Sequence, residues 1–141
     1  MRAEELRIGN YLDGRRGFVV IEEIRKDRCM VKVEDSTSSF IVGGEAPCLT
    51  PIPLTEEWLL KLGFSKIVFD SDEEGYRVEY RVNLIDDKDY IVVFDDMSVG
   101  TYSNGDMAHV IYPIKQHVHT LQNLYFALTG EELKLKQNES I

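Results

Sequence analysis

Residues 76–84, YRVEYRVNL, alternate between apolar and charged or polar side chains. A period of two puts Val78, Tyr80, Val82 and Leu84 on one side of a strand. Arg77, Glu79, Arg81 and Asn83 fall on the other. A segment divided in this way has to bury one face and leave the other to solvent, which an antiparallel sheet allows. Its neighbours extend the pattern. "IVF" leads into the polar turn "DSDEEG", and "DDKD" turns the chain into "YIVVF", whose continuous apolar character predicts a central strand. Turns follow at Asp95-Asp96 and at Asn104-Gly105, the second a strong hairpin signal, before "MAHVIY" ends at Pro113. Residues 65–113 therefore read as an antiparallel meander with acidic turns.

The first third is also strand-like. "GNYLDGRRGFVVIEEI" gives a strand, a turn at Asp13-Gly14 and a second strand over Gly17–Ile24. "RCMVKVED" alternates, "FIV" is a short strand, and "GGEAPCLTPIP" is a Gly/Pro-rich exit. A flat sheet of such short strands could not hide both faces, so the expectation is a small β-barrel-like sheet. Two helices complete the reading. In "LTEEWLLKLGF", Thr55 is a cap, Glu56 and Glu57 face the positive end of the dipole, and Gly63 is a stop. The second helix runs from about Lys115 to Leu128, with Ile114, Val118, Leu121, Tyr125 and Leu128 forming one apolar stripe and Gly130 as its cap.

Together these elements predict an α+β fold. Residues 1–53 form a small all-β subdomain, joined through Pro51–Pro53 to residues 54–133, an antiparallel β-meander covered by two helices. Trp58, Leu59, Leu62 and Phe64 on one helix, and Leu121, Leu124, Tyr125 and Leu128 on the other, are expected to form that cover. Residues 134–141 are expected to fray, since "KLKQNESI" offers no anchor.

Composition narrows the class of protein. At 43% hydrophobic and 29% charged residues, the chain is too apolar for disorder and ordinary for a soluble globular protein. No apolar run approaches the roughly 20 residues that span a bilayer, so no membrane association is expected. Acidic residues stand where a signal peptide would be apolar, and Cys29 reads as a buried thiol in a strand; both favour the cytoplasm. The net charge is −9 and unevenly spread. Residues 1–53 carry eight Lys/Arg against nine Asp/Glu, whereas residues 54–141 carry eight against sixteen. Broad attraction to nucleic acid is therefore disfavoured for residues 54–141.

Few side chains carry patterns that point to chemistry. His117 and His119 are two apart, and inside a helix such residues point ~200° away from each other, so they cannot share one ion. A helical zinc pair needs a spacing of three or four. Only an extended backbone through 113–119 would turn both rings to one side. Asp70, Asp72, Glu74 and Gly75 match the first half of a calcium loop, but Arg81 stands where its bidentate Glu belongs. A solvated hairpin turn is the better fit. Cys48 beside Gly43-Gly44 lacks any local signature of a nucleophile, and phosphate-binding and dinucleotide fingerprints do not occur. Arg15, Arg16, Arg25, Lys26 and Arg28 fall on two predicted turns and would make a modest basic edge if those turns lay side by side. No catalytic residue, cofactor or metal is assigned from these patterns.

Three blocks, "ELRIGNYL", "PIPLTEEWLLKLGF" and "VHTLQNLYFALTGEEL", taken in this order, resemble a family of short uncharacterised proteins from the genomes, prophages and mobile elements of gut anaerobes. The blocks span about 38 residues. The resemblance implies a cytoplasmic, phage-related accessory role and supplies no activity, cofactor or site residue. The leading expectation is accordingly a non-catalytic module for protein–protein interaction, with an unidentified protein partner. The alternative is an acidic nucleic-acid mimic that inhibits a DNA-binding protein, which requires carboxylates in a continuous stripe. A small hydrolase or ligand-binding enzyme comes last. A homodimer would form if a hairpin edge near "YIVVF" paired between subunits.

Overall fold

A computed structural model describes residues 6–14, 17–24, 28–33, 39–43, 50–73, 75–85, 88–103, 106–112 and 117–136. For residues 23, 28–33, 39–43 and 106–112 it describes the backbone alone. The fold is α+β. The chain divides into two units, Met1–Pro53 with His117–Leu124, and Leu54–Gln116 with Tyr125–Ile141.

The first unit holds strands β1 (Tyr11–Gly14), β2 (Gly17–Ile24), β3 (Arg28–Val33) and β4 (Ser39–Gly43), in antiparallel order β1-β2-β3-β4. Leu12 lies opposite Val19, and both are buried together with Ile21. On the other face Tyr11 packs edge-on against Phe18, with ring centroids 5.5 Å apart. The expected barrel does not form: the sheet is open, and among the described residues β4 does not pair with β1. The free edge of β1 is protected in another way. The Asp13 N–H donates to the Thr50 carbonyl at 2.9 Å, and the Tyr11 N–H, on the same edge, donates to Gln122 Oε1 at 2.8 Å. An edge whose donors are already satisfied has no need of a returning strand.

Gln122 belongs to helix α2 (Val118–Thr129). This helix starts at Val118 rather than Lys115, because Thr120 closes a local box on His117. The Thr120 hydroxyl accepts from the His117 N–H at 3.0 Å and donates to the His117 carbonyl at 2.8 Å. His117 itself is extended and bridges Pro53. Val118, His119, Leu121 and Gln122 are buried. The first half of α2 thus belongs with the N-terminal sheet, whereas the sequence placed the whole helix on the meander.

The second unit opens with α1 (Glu56–Lys61). Its N-cap Thr55 accepts from the Trp58 N–H at 3.3 Å, and its chain leaves through Gly63 at a φ of 93°. Then come β5 (Ser65–Ser71), β6 (Gly75–Asn83), β7 (Asp89–Phe94), β8 (Val99–Ser103) and β9 (Asp106–Tyr112), a five-stranded meander in sequence order. Leu59, Leu62 and Phe64 are buried, as are Tyr80, Ile91, Val93 and Val99. Glu56 reaches Lys66 on β5 at 2.6 Å, and that ammonium holds the Glu56 carboxyl below its usual range. Four residues, 95–98, connect β7 to β8, two more than the Asp95-Asp96 turn, and Met97 among them takes a left-handed φ of 68°.

Two expectations change here. "YIVVF" is a central strand, hydrogen-bonded on both sides, so it offers no edge for a homodimer. The segment after α2 is anchored through residue 136: Leu133 is buried, and the Lys136 N–H donates to the Lys61 carbonyl at 2.7 Å, satisfying an open carbonyl at the end of α1. Residues 137–141 lie outside the described ones. Among the described residues no helix is long and apolar enough to cross a membrane.

Candidate functional site

The side of the meander opposite Tyr80, Ile91 and Val93 carries a different chemistry. Its register sets Ile67 beside Glu79, Phe69 beside Arg77, and Ser65 beside Arg81. On the other flank of β6, Asn83 lies beside Tyr90, and Tyr90 beside Tyr102. Because opposite residues share a face, these side chains form one continuous field.

At its centre is Glu79, whose side chain is 2% exposed. Arg81 donates to Glu79 Oε2 twice, from Nη2 at 2.7 Å and Nε at 3.1 Å. Arg77 Nε lies 3.9 Å from Oε1. Burying a carboxylate without such partners would be costly, so the two guanidiniums are what permit its position. Aromatic rings hold the guanidiniums in turn. The guanidinium centre of Arg77 lies 4.5 Å from the Phe69 centroid, and that of Arg81 lies 4.7 Å from Tyr90 and 5.6 Å from Phe69. Tyr90 stacks on Tyr102 at 4.9 Å and 16°. Burial, and then the Glu79 charge, push the Tyr102 hydroxyl up from its ordinary value.

This field was half visible in the sequence. Alternation placed Arg77, Glu79, Arg81 and Asn83 on one side, but nothing local indicated that Glu79 would be enclosed. Phe69, Tyr90 and Tyr102 come from three other strands, and their approach depends on register.

The side chains singled out earlier are dispersed. His117 precedes α2, so the two imidazoles do not diverge as two helical residues would; their rings stack at 5.9 Å and 22°. His119 is buried at 1% exposure. Among the described residues no three metal-binding side chains come together. Asp70 pairs with Tyr76 at the end of β5, with Asp72 in the following turn, as in an ordinary hairpin; Glu74 lies outside the described residues. Asp96 is occupied locally: the hydroxyl and N–H of Ser98 donate to its Oδ1 at 2.6 and 2.9 Å and hold its carboxyl below the usual range. The β5–β6 and β7–β8 connections lie at one end of the sheet, so Asp70, Asp72, Asp95 and Asp96 gather there instead of forming a stripe along a face.

Of the proposed basic edge, Arg15, Arg16, Arg25 and Lys26 lie outside the described residues, and Arg28 opens β3. Cys48 also lies outside the described residues. No family model, curated protein or solved structure matches the chain.

Proposed function

We propose that the protein is a non-catalytic interaction module whose working surface is the arginine–aromatic face of the five-stranded sheet. The observation that carries this reading is the field built around Glu79, with Arg77 still 51% exposed above Phe69. Arginine and tyrosine are the residue types that concentrate binding energy at protein interfaces, especially where they are held in place beforehand. On a chain of net charge −9, two guanidiniums held against aromatic rings give this face cationic groups that an acidic partner can meet. The partner it suits is a protein presenting acidic and apolar groups together. The resemblance of the three sequence blocks to prophage and mobile-element proteins supports an accessory role in the cytoplasm.

Affinity capture with the full chain as bait tests this. A host protein should be retained by the wild type and by a Lys134→Glu control, and depleted about tenfold by Arg77→Glu, which reverses a charge on the face. Equal capture by all three baits, or no specific capture by any, would count against the face as an interface.

A further inference from the structure

β5 is an edge of the five-stranded sheet. It pairs with β6 on one side, and among the described residues no other backbone bonds its outer side. Such a row of open N–H and C=O groups is a template for another strand unless something guards it. The β5 sequence, SKIVFDS, is self-complementary about Val68. Laid antiparallel against the same strand of a second copy, and centred there, each residue finds a match. Lys66 meets Asp70 of the second copy, and Asp70 meets its Lys66. Ile67 and Phe69 meet in the same reciprocal way, Ser65 meets Ser71, and Val68 meets Val68.

Exposure fits this arrangement. Val68 is apolar yet 49% exposed, and Lys66 and Asp70 on the same face are exposed as well. Opposite residues share a face, so the added strand covers Val68 with its own counterpart and joins opposite charges beside it. Lys66 already reaches Glu56 at 2.6 Å, but an ammonium has three donors and can meet a second carboxylate. Neighbouring registers fit worse. Centring on Ile67 sets Lys66 against Val68 and Ser65 against Phe69, and centring on Phe69 sets Val68 against Asp70. Parallel pairing in register stacks Lys66 on Lys66 and Asp70 on Asp70. The two charges thus guard the edge against these alternatives and admit the centred one.

We infer that β5 is the interface of a symmetric homodimer, in which β5 adds antiparallel to β5 across a two-fold axis between the two Val68 residues. Five strands from each copy then make one continuous sheet. Ile67 and Phe69 stand at the margin of the arginine–aromatic face, so the axis sets the two faces side by side. The pairing is made by backbone groups of the edge and does not rest on what that face binds.

Sedimentation of the full chain over a concentration series reads the association without any partner. A strand pair of this length buries less than a standard interface, so the wild type should dimerise with a Kd on the order of 10 μM. Lys66→Asp or Asp70→Lys alone sets like charges opposite each other at two symmetric places and should weaken the dimer about tenfold. An equimolar mixture of the two variants sets opposite charges across the pair and should recover the wild-type affinity within about threefold. In the wild type, alternate amides of β5 should gain protection from hydrogen exchange as concentration rises, a readout that needs no variant. A chain still monomeric at about 1 mM would overturn the assignment. So would assembly beyond dimers, a dimer indifferent to both variants, a mixture no stronger than its components, or protection confined to other strands.

Discussion

A carboxylate as enclosed as that of Glu79 is tolerable only with its partners in place. Arg81→Gln removes the two short hydrogen bonds and leaves Arg77 at 3.9 Å as the remaining cation. Breaking a fully buried pair costs ~3–5 kcal/mol; with Arg81 26% exposed, a loss of about 2–3 kcal/mol is expected in urea unfolding. Replacing both members, Glu79→Gln with Arg81→Gln, should cost about 1 kcal/mol or less, because no charge is stranded. If the single variant is as stable as the wild type, the pair does not form. Asp96 gives a prediction in pH. Its carboxyl is held below the ordinary aspartate value near 3.8, first by the Ser98 hydroxyl and then by the Ser98 N–H. A lowered folded value means that the stabilisation is complete above the unfolded value and is lost as pH falls through the folded one. Ser98→Ala should therefore weaken the protein near neutral pH and converge with the wild type in strong acid, and the Asp96 titration midpoint should move up. A midpoint unmoved by Ser98→Ala would remove the hydroxyl as its cause. At this scale the sequence disclosed which side of β6 each residue takes, because a period of two needs only local information. It did not disclose the enclosure of Glu79, nor the stacking of His117 on His119, which follows from the extended backbone at His117.

Elements were legible where their ends are made by their own residues. α1 begins at a Thr55 cap and stops at Gly63 because a hydroxyl acceptor and a left-handed glycine act within one turn. The end of α2 at Gly130, where φ is 76°, follows the same logic. Its start was less visible, since Thr120 reaches back to His117 and uses neither an acidic cap nor a proline. Least visible was the polar residue on its buried face. Gln122 is fully buried, accepts from the Tyr11 N–H at 2.8 Å and donates to the Gly9 carbonyl at 3.0 Å. An amide serves here where an apolar residue would not, since it meets a donor and an acceptor of the backbone at once. Gln122→Leu leaves both without that partner and should cost about 2–4 kcal/mol, roughly the penalty for two stranded buried groups. Faster hydrogen exchange at the Tyr11 amide should accompany the loss. Gln122→Glu keeps the acceptor, forfeits the donor and introduces a buried charge, so it should be at least as damaging. Were Gln122→Leu neutral, the edge of β1 would not depend on the helix.

The chain as a whole shows why a boundary in sequence differs from one in space. Pro51–Pro53 marks a change of composition, and the first unit does run through Pro53, but it also recruits His117–Leu124 from beyond the meander. That return has no local signature, because it is made by backbone groups: the Val118 N–H donates to the Ile52 carbonyl at 2.8 Å, and His117 bridges Pro53. A barrel closed by its own strands would have needed no such segment, and four open strands with a short β1 do. The consequence is testable by dissection. A fragment of residues 1–53 retains every strand of the first sheet but loses the partners that Gln122 gives to Tyr11 and Gly9 and the bond from Asn10 to Asn123 at 2.9 Å. Small sheets of this size are marginal even when complete. The fragment should therefore show little amide dispersion and no cooperative unfolding, and a peptide of residues 117–129 added in trans should restore part of both. A fragment that folds cooperatively on its own would mean that the four strands suffice, and that α2 docks on a finished sheet instead of completing it.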